Sequence, residues 1–303
     1  MSVFQVIGSL NIDLTILLPR FHAAGETITG EDFKTYLGGK GGNQAVALAK
    51  LGASVQFVGK LGNDSYADLY LKTFKELGVD TKFIEKTDEA STGVAIIEVS
   101  KDGENRIALA AGANALCEYD FINKAQQASE TPEFTLLQLE IPFYSCQQAA
   151  KYASAAGSTV ILDPAPAVPL NDSFLSDISI ITPNESELRL LTGLPIGSLA
   201  DAEKAAKQLL SRGVKTVVAK LGSKGCLYVD SMHSIYQEGF KVNAVDTTAA
   251  GDSFNAGLAY AMSKKWSIEK CLRFANAVGA LSTTKAGAQG AMPTLEQAMQ
   301  LMN

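Results

Sequence analysis

Apolar positions in the second half of the chain fall in short runs, each closed by polar residues and followed by a longer stretch of helical period. Leu136-Leu137-Gln138-Leu139 ends at Glu140, and Thr159-Val160-Ile161-Leu162 ends at Asp163-Pro164-Ala165-Pro166. Ile178 to Ile181 ends at Thr182-Pro183-Asn184-Glu185-Ser186-Glu187. Thr216 to Ala219 ends at the loop Lys220-Leu221-Gly222-Ser223-Lys224-Gly225. The spacing between these runs predicts helices over 145–156, closed by Gly157, and over 201–212. The first part of the chain repeats the scheme. A strand is expected over Val3 to Gly8, a helix through Ala45, Leu48, Ala49 and Leu51 closed by Gly52, a strand over Gln56 to Gly59, and a helix from Ala67 to Leu77 closed by Gly78. Continuous apolar strands alternating with helices predict an α/β fold with a mostly parallel central sheet and helices on both faces.

Two stretches break the pattern. Residues 14–36 alternate patchily, with Pro19 and Gly25 as breakers. Between Thr92 and Leu109, two alternating runs flank Asp102-Gly103, which predicts a β-hairpin. A hairpin inside a β-α-β chain implies a small separate sheet. The expectation is a single α/β domain over 1–303, with a β-sheet lid inserted from about 14–36 and 90–111.

The polar residues cluster at one edge of the predicted sheet. Asn11, Asp13, Glu140, Asp163, Asn184, Glu187 and the 220–225 loop all follow the carboxyl end of a strand, where open α/β sheets collect ligands. Two further stretches carry candidate chemistry. In Val245 to Gly257, the small residues Ala249, Ala250 and Gly251 precede an apolar-periodic run, so a helix N-terminus there exposes N–H groups to an anion. Asp252 beside them either accepts a proton from an alcohol or simply caps the helix. Leu37-Gly38-Gly39-Lys40-Gly41-Gly42-Asn43-Gln44 is not a phosphate-binding Walker sequence, because Gly41 stands where Ser or Thr should follow Lys40. Its glycines let the backbone approach a small polar ligand, with Lys40 and Asn43 as donors, or they make a flexible turn. Asn184 and Glu187, three apart, suit water-mediated contact with phosphate and a hydrated magnesium ion, or form an acidic helix start.

Composition narrows the partners. The 303 residues are 47% hydrophobic and 19% charged, with a net charge of −6 and no basic run beyond Lys264-Lys265, which disfavours nucleic acid. Cys117, Cys146, Cys226 and Cys271 are far apart and only His22 and His233 are present, so a zinc site of usual composition is not expected. Free buried thiols point to the cytoplasm. The apolar stretch from Val3 to Leu18 lacks a basic flank and is interrupted by Asn11 and Asp13, which predicts a strand and no signal peptide. No run of 18 apolar residues is present, so no membrane span is expected.

Several motifs together resemble a known family. They are Gly8-Ser9-Leu10-Asn11-Ile12-Asp13, Gly25-Glu26-Thr27, the 38–44 segment, Ser91-Thr92-Gly93-Val94-Ala95 and Gly112-Ala113-Asn114. Leu139-Glu140, Pro164-Ala165-Pro166, Thr182 to Glu185, the 246–252 stretch and Gly287-Ala288-Gln289 complete the set. In this order, and nearly end to end, they are similar to the motifs of the ribokinase-like carbohydrate kinases, the PfkB superfamily. The resemblance implies a ribokinase-like fold with a β-sheet lid and ATP-dependent transfer of the γ-phosphate to a sugar's primary hydroxyl. D-ribose is the first expectation, with deoxyribose, a ketohexose or a nucleoside as alternatives. A non-catalytic sugar or nucleotide sensor is a third, opposed by the intact Asp252 and anion hole.

Roles for matching positions follow from the same resemblance. Asn11, Asp13, Gly39, Lys40, Gly41, Gly42, Asn43 and Glu140 would hold the sugar, and Asp252 would take the proton. The N–H groups of Ala249, Ala250 and Gly251 would stabilise the transferring phosphate. Asn184 and Glu187 would serve the phosphate and Mg2+. Lys220, Leu221, Gly222, Ser223, Lys224, Gly225 and Asn276 would line the ATP site. A monovalent cation, K+, is implied at largely backbone oxygens of Asp246, Thr248, Ser282, Lys285 and Gly287. Ala291 closes that ring where near members of the family carry Ser, and Asp163 stands where they commonly carry Asn. A homodimer formed through the lid is also implied.

Overall fold

The computed structural model describes residues 3–303. The chain opens with β1 (Val3–Ile7), β2 (Asn11–Leu18), β3 (Asp32–Gly38), α1 (Lys40–Lys50), β4 (Ser54–Gly62), α2 (Ser65–Glu76) and β5 (Asp80–Thr87). It continues through β6 (Gly93–Ser100), β7 (Asn105–Ala110), α3 (Tyr119–Ala128), β8 (Phe134–Leu137), α4 (Phe143–Ala155), β9 (Thr159–Leu162) and α5 (Asp172–Ser176). Then come β10 (Ile180–Ile181), α6 (Glu185–Thr192), α7 (Leu199–Ser211), β11 (Thr216–Lys220), β12 (Gly225–Val229) and β13 (Ser234–Glu238). Helices α8 (Ala250–Ser263), α9 (Ile268–Ser282) and α10 (Leu295–Met302) end it.

Nine strands form one sheet in the order β13-β12-β11-β10-β9-β8-β1-β4-β5. Its strands from β11 through β5 run parallel, and β12 pairs antiparallel with both β11 and β13. Neighbouring residues on each central strand supply opposite faces, as a two-residue period requires. Val6, Leu136, Ile161, Ile180 and Val218 pack with α1, α2, α8, α9 and α10. Ile7, Leu137, Leu162, Ile181 and Val217 pack with the helices from α3 to α7. The parallel sheet between two helical layers is therefore as the apolar runs predict.

The differences lie at the margins. Strands β5, β12 and β13 were not anticipated; β5 and β13 are the two edges of the sheet, and the buried β12 lies beside β13. Edge strands carry polar and charged positions, here Asp80-Thr81-Lys82 and Ser234-Ile235-Tyr236-Gln237-Glu238, so no apolar run announces them. The strand expected over 178–181 has only two paired residues, and the one expected over 136–139 covers 134–137.

The second sheet has four strands in the order β3-β2-β6-β7. The Asp102-Gly103 hairpin joins β6 to β7, and β2 pairs with β6 in parallel. This sheet begins sooner than expected. Asn11 and Asp13 lie inside β2, not in a turn after β1.

Candidate active site

The carboxyl edge of the large sheet meets the N-termini of α1 and α8. Asp252 is the third residue of α8 and is buried. It does not cap the helix. Its Oδ2 accepts from Asn43 Nδ2 at 2.9 Å and its Oδ1 from Gln44 Nε2 at 3.2 Å. Two amide donors near the start of α1 thus turn the carboxylate out of its own helix and fix its plane. Burial pushes its pKa up to about 6; the Lys40 charge opposes this and the Asp163 charge adds to it.

Ala249 precedes α8 in the left-handed conformation, φ 59°. This turn divides the N–H groups differently from the expectation. Ala250 N–H donates to the Thr247 carbonyl at 3.2 Å, so it is not free for an anion. Among the described residues, the N–H groups of Ala249, Gly251 and Asp252 have no protein acceptor. The candidate anion hole therefore centres on Gly251 and Asp252. A Cβ added to Gly251 would sit 3.2 Å from Lys220 Nζ, so a cation lies against the hole.

The acceptor side is built on β2 and α1. Asn114 Nδ2 donates to Asn11 Oδ1 at 2.7 Å, and its amide also brackets the Leu10 N–H and carbonyl. Asp13 is buried, and that burial, followed by the neighbouring Glu140 and Asp252, raises its pKa to about 7. Glu140 Oε2 accepts from Ser9 Oγ at 2.5 Å and from Lys40 N–H at 3.0 Å. Burial works against the Lys40 charge, but Asp252, Asp163 and Glu140 outweigh it and its pKa is raised.

The glycine segment is not a flexible loop. Gly39 starts α1 at φ 84°, and Lys40, Gly41, Gly42 and Asn43 form its first turn. Each glycine allows a close approach within the protein: a Cβ would meet Asn11 N at 2.7 Å from Gly39 and Ser9 N at 2.7 Å from Gly41, and from Gly42 it would overlap the Tyr70 hydroxyl. Asn43 is committed to Asp252 through Nδ2 and accepts from Gln289 Nε2 at 3.3 Å.

On the other side of Gly251 lies a cavity of about 420 Å³. Lys220, Gly222, Ser223, Gly225 and Asn276 line it, with Phe240, Val242 and Ala244 as apolar wall. Leu221 and Lys224 do not. Leu221 is buried in the core and Lys224 pairs with Glu185 at 3.1 Å. Asn276 also donates to the carbonyls of Gln237 and Glu238, both at 3.2 Å, tying β13 to α9. Asn184 and Glu187 form a capping box for α6, so both Glu187 oxygens accept from Asn184 at 2.8 Å. Burial raises the Glu187 pKa, Lys220 opposes and Asp163 adds. The capping role and proximity to the site hold together.

The candidate cation residues fall on two joined loops. Asp246 Oδ1 accepts from the Thr248 N–H at 2.9 Å and Oδ2 from the Gly287 N–H at 2.9 Å. These bonds hold its carboxyl below the usual value against the opposing effect of burial. Ser282 ends α9, and Lys285 follows it. Ala291 is buried in the 3-10 turn Gln289–Ala291.

Residues 2–295 match the family model described as pfkB family carbohydrate kinase. The chain belongs to this family. The kinase is 40% identical over 301 residues to the ribokinase of Haemophilus influenzae, covering 99% of this chain and 98% of that one. It is 34% identical over 293 residues to the deoxyribokinase of Salmonella typhi, covering 96% of each. The structure of Arabidopsis thaliana ribokinase complexed with ribose and ATP superposes on this pfkB kinase with a TM-score of 0.92, at 35% identity, covering 100% and 99% of the two chains. The protein is an ATP-dependent sugar kinase with the ribokinase-like fold.

Sequence reading missed three parts of this kinase's candidate site. Gln44 orients Asp252 and also donates to Asp163 Oδ2 at 3.3 Å. Lys220 pairs with Asp163 at 2.9 Å. Asn114 organises Asn11 from 103 residues away, and its place in the Gly112-Ala113-Asn114 motif was the one signal available. Gln44 stood within the 38–44 motif but was given no role of its own, because apolar periodicity says nothing of where a polar side chain reaches.

Proposed function

We propose that this kinase transfers the γ-phosphate of ATP to the 5-hydroxyl of D-ribose. One observation carries the reading: a buried, doubly oriented carboxylate, Asp252, lies near the polar groups Asp13 and Lys40 and directly follows Gly251, which lines a roomy, partly apolar cavity, with open N–H groups beside it. The pocket groups Asn11, Asp13, Lys40 and Glu140 are polar and ionisable, which suits a small hydroxylated sugar better than a nucleobase. Asn43 serves the base, and the Gly39–Gly42 backbone shapes the pocket floor.

The hydroxyl gives its proton to Asp252, its oxygen bonds to the γ-phosphorus, and the bond to the β–γ bridging oxygen breaks as ADP leaves with the electron pair. The free N–H groups of Gly251 and Asp252 receive the charge on the phosphoryl oxygens. Gly222, Ser223, Gly225 and Asn276 hold the nucleotide against the Phe240 and Val242 wall. Asn184 and Glu187, beside Lys220 at the start of α6, would hold a hydrated Mg2+ through water. Such an ion would lend positive charge to the phosphates. The Asp246 bridge between the 246–248 and 285–291 loops gathers carbonyl-bearing backbone for K+, with the Ala291 methyl in place of a hydroxyl ligand. Buried thiols suit a reducing cytoplasm.

The small sheet serves as lid and as subunit interface in this reading. Phe33, Ile96, Ile107 and Leu109 are all at least half exposed on it, and a second copy would cover them. Sedimentation that finds only monomer removes the dimer. The test of activity is ATP consumption against D-ribose, 2-deoxyribose, D-fructose and adenosine, each with potassium or choline chloride. The highest kcat/KM is expected on D-ribose, and potassium is expected to raise it. Turnover confined to another acceptor would reject the ribose assignment, and equal rates in both salts would reject the cation site.

A further inference from the structure

Among the described residues, Asp163 and Lys220 make the most buried ion pair, 2.9 Å apart with side chains 3% and 13% exposed. They stand at the ends of β9 and β11, with β10 between them. Two strand spacings are roughly 9–10 Å, so the lysine must lie extended across the end of β10 to reach its partner. A pair this buried is a poor stabiliser, since apolar residues of similar volume do as well. Its position needs another reason.

The surroundings supply one. Lys220 Nζ lies against Gly251, on the wall that the nucleotide cavity shares with Ala250 and Thr247. Asp163 Oδ1 takes the lysine, and Oδ2 accepts from Gln44 Nε2 at 3.3 Å. That same nitrogen donates to Asp252 Oδ1 at 3.2 Å. Glu187, also near Lys220, has both oxygens occupied by Asn184. One carboxylate therefore reaches both halves of the reaction centre.

We propose that Asp163 is a positioning residue for phosphoryl transfer, holding Lys220 against the anion hole and, through Gln44, holding Asp252 in plane. Lys220 is then a catalytic residue whose ammonium donates a hydrogen bond to a non-bridging oxygen of the phosphoryl group in flight. No proton leaves the lysine. The sugar's proton goes to Asp252, the new O–P bond forms as the β–γ bridge breaks, and ADP departs. This rests on the kinase reading above.

The test compares wild type with Lys220→Met, Lys220→Arg and Asp163→Asn, using ATP and whichever sugar wild type turns over. Lys220→Met is expected to lower kcat by about 10²-fold with the KM for sugar nearly unchanged, the loss typical of one donor to a developing oxyanion. Lys220→Arg should recover part of it. Asp163→Asn should lower kcat and move the acid limb of kcat/KM to lower pH, because the anion beside Asp252 is gone. Calorimetry with ADP, and with ADP plus aluminium fluoride, adds a readout that needs no turnover. Lys220→Met should weaken only the aluminium fluoride complex. Equal weakening of both, or an unchanged kcat, overturns the role of Lys220; an unmoved acid limb overturns that of Asp163. If Lys220→Met does not fold, the neutral double variant Lys220→Gln/Asp163→Asn takes its place in both assays. Wild type idle on every sugar would sink the kinase reading, and the aluminium fluoride comparison would still decide the clamp.

Discussion

Helices α1 and α8 both begin in small residues, and their N-termini stand side by side, yet one is filled and the other open. At α1 the glycines admit protein. Gly42 N–H donates to the Ser9 carbonyl at 2.9 Å, Lys40 N–H to Glu140, and the Tyr70 hydroxyl fills the space a Gly42 side chain would take. At α8, Gly251 faces only the end of the Lys220 side chain, and its N–H has no protein acceptor among the described residues. Glycine at a helix start thus has two uses. It lets backbone pack on backbone, or it leaves N–H groups for a ligand. Asn43 and Gln44 link the two uses, because the packed helix carries the donors that aim the Asp252 carboxylate of the open one.

The sharpest attack on this comparison is at the joint itself. Asp252→Asn removes the proposed base while keeping its size, so kcat should fall by about 10²–10⁴-fold. Binding of ADP, measured by calorimetry, should persist. A variant with undiminished kcat would mean that the α1–α8 junction is structural only.

The next pair tests filled against open directly. Gly42→Ala forces a methyl into the Tyr70 hydroxyl, which also bonds Gly38 and Gln289, so overpacking should cost about 1–3 kcal/mol in denaturant unfolding. Gly251→Ala meets a flexible lysine end and should change stability by less than about 0.5 kcal/mol. Its kcat should nevertheless drop roughly tenfold, because small misplacements at a reacting centre are costly. Reversal of the two stability effects would break the distinction.

The mildest effect is on pH. Asp252 must be ionised to accept a proton, and its pKa is about 6, so kcat/KM should fall about tenfold per pH unit below that value. Stability should move the other way. Asp13 and Asp252 hold protons in the folded state at pH values where the unfolded chain, with carboxyls near 3.8, has released them. Folding therefore takes up protons, and the unfolding free energy should rise as pH falls from about 7 toward 5. A pH-independent unfolding midpoint across that window, by chemical denaturation, would contradict the burial of these acids.

The amino-acid sequence by itself determined the layered sheet, its parallel centre, the Asp102-Gly103 hairpin and the edge at which ligands gather. Each follows from a local rule: apolar runs need two covered faces, and the period of two or 3.6 selects strand or helix. The edge strands β5 and β13 escaped because solvent-facing edges carry no such signature. Only the tertiary structure decided which glycines were packing and which left N–H groups open, since that depends on whether Tyr70 or the flexible end of Lys220 lies opposite. It also decided that Asp252 points at α1 and leaves its own helix uncapped, and that Ala250 N–H is already used. Gln44, Asn114 and Asp163 owe their partners to residues 208, 103 and 57 positions away. Hydrogen bonds of a few ångströms across such separations have no periodicity to read. They exist only once the two cores have closed and brought the carboxyl edge of the sheet against the two helix ends.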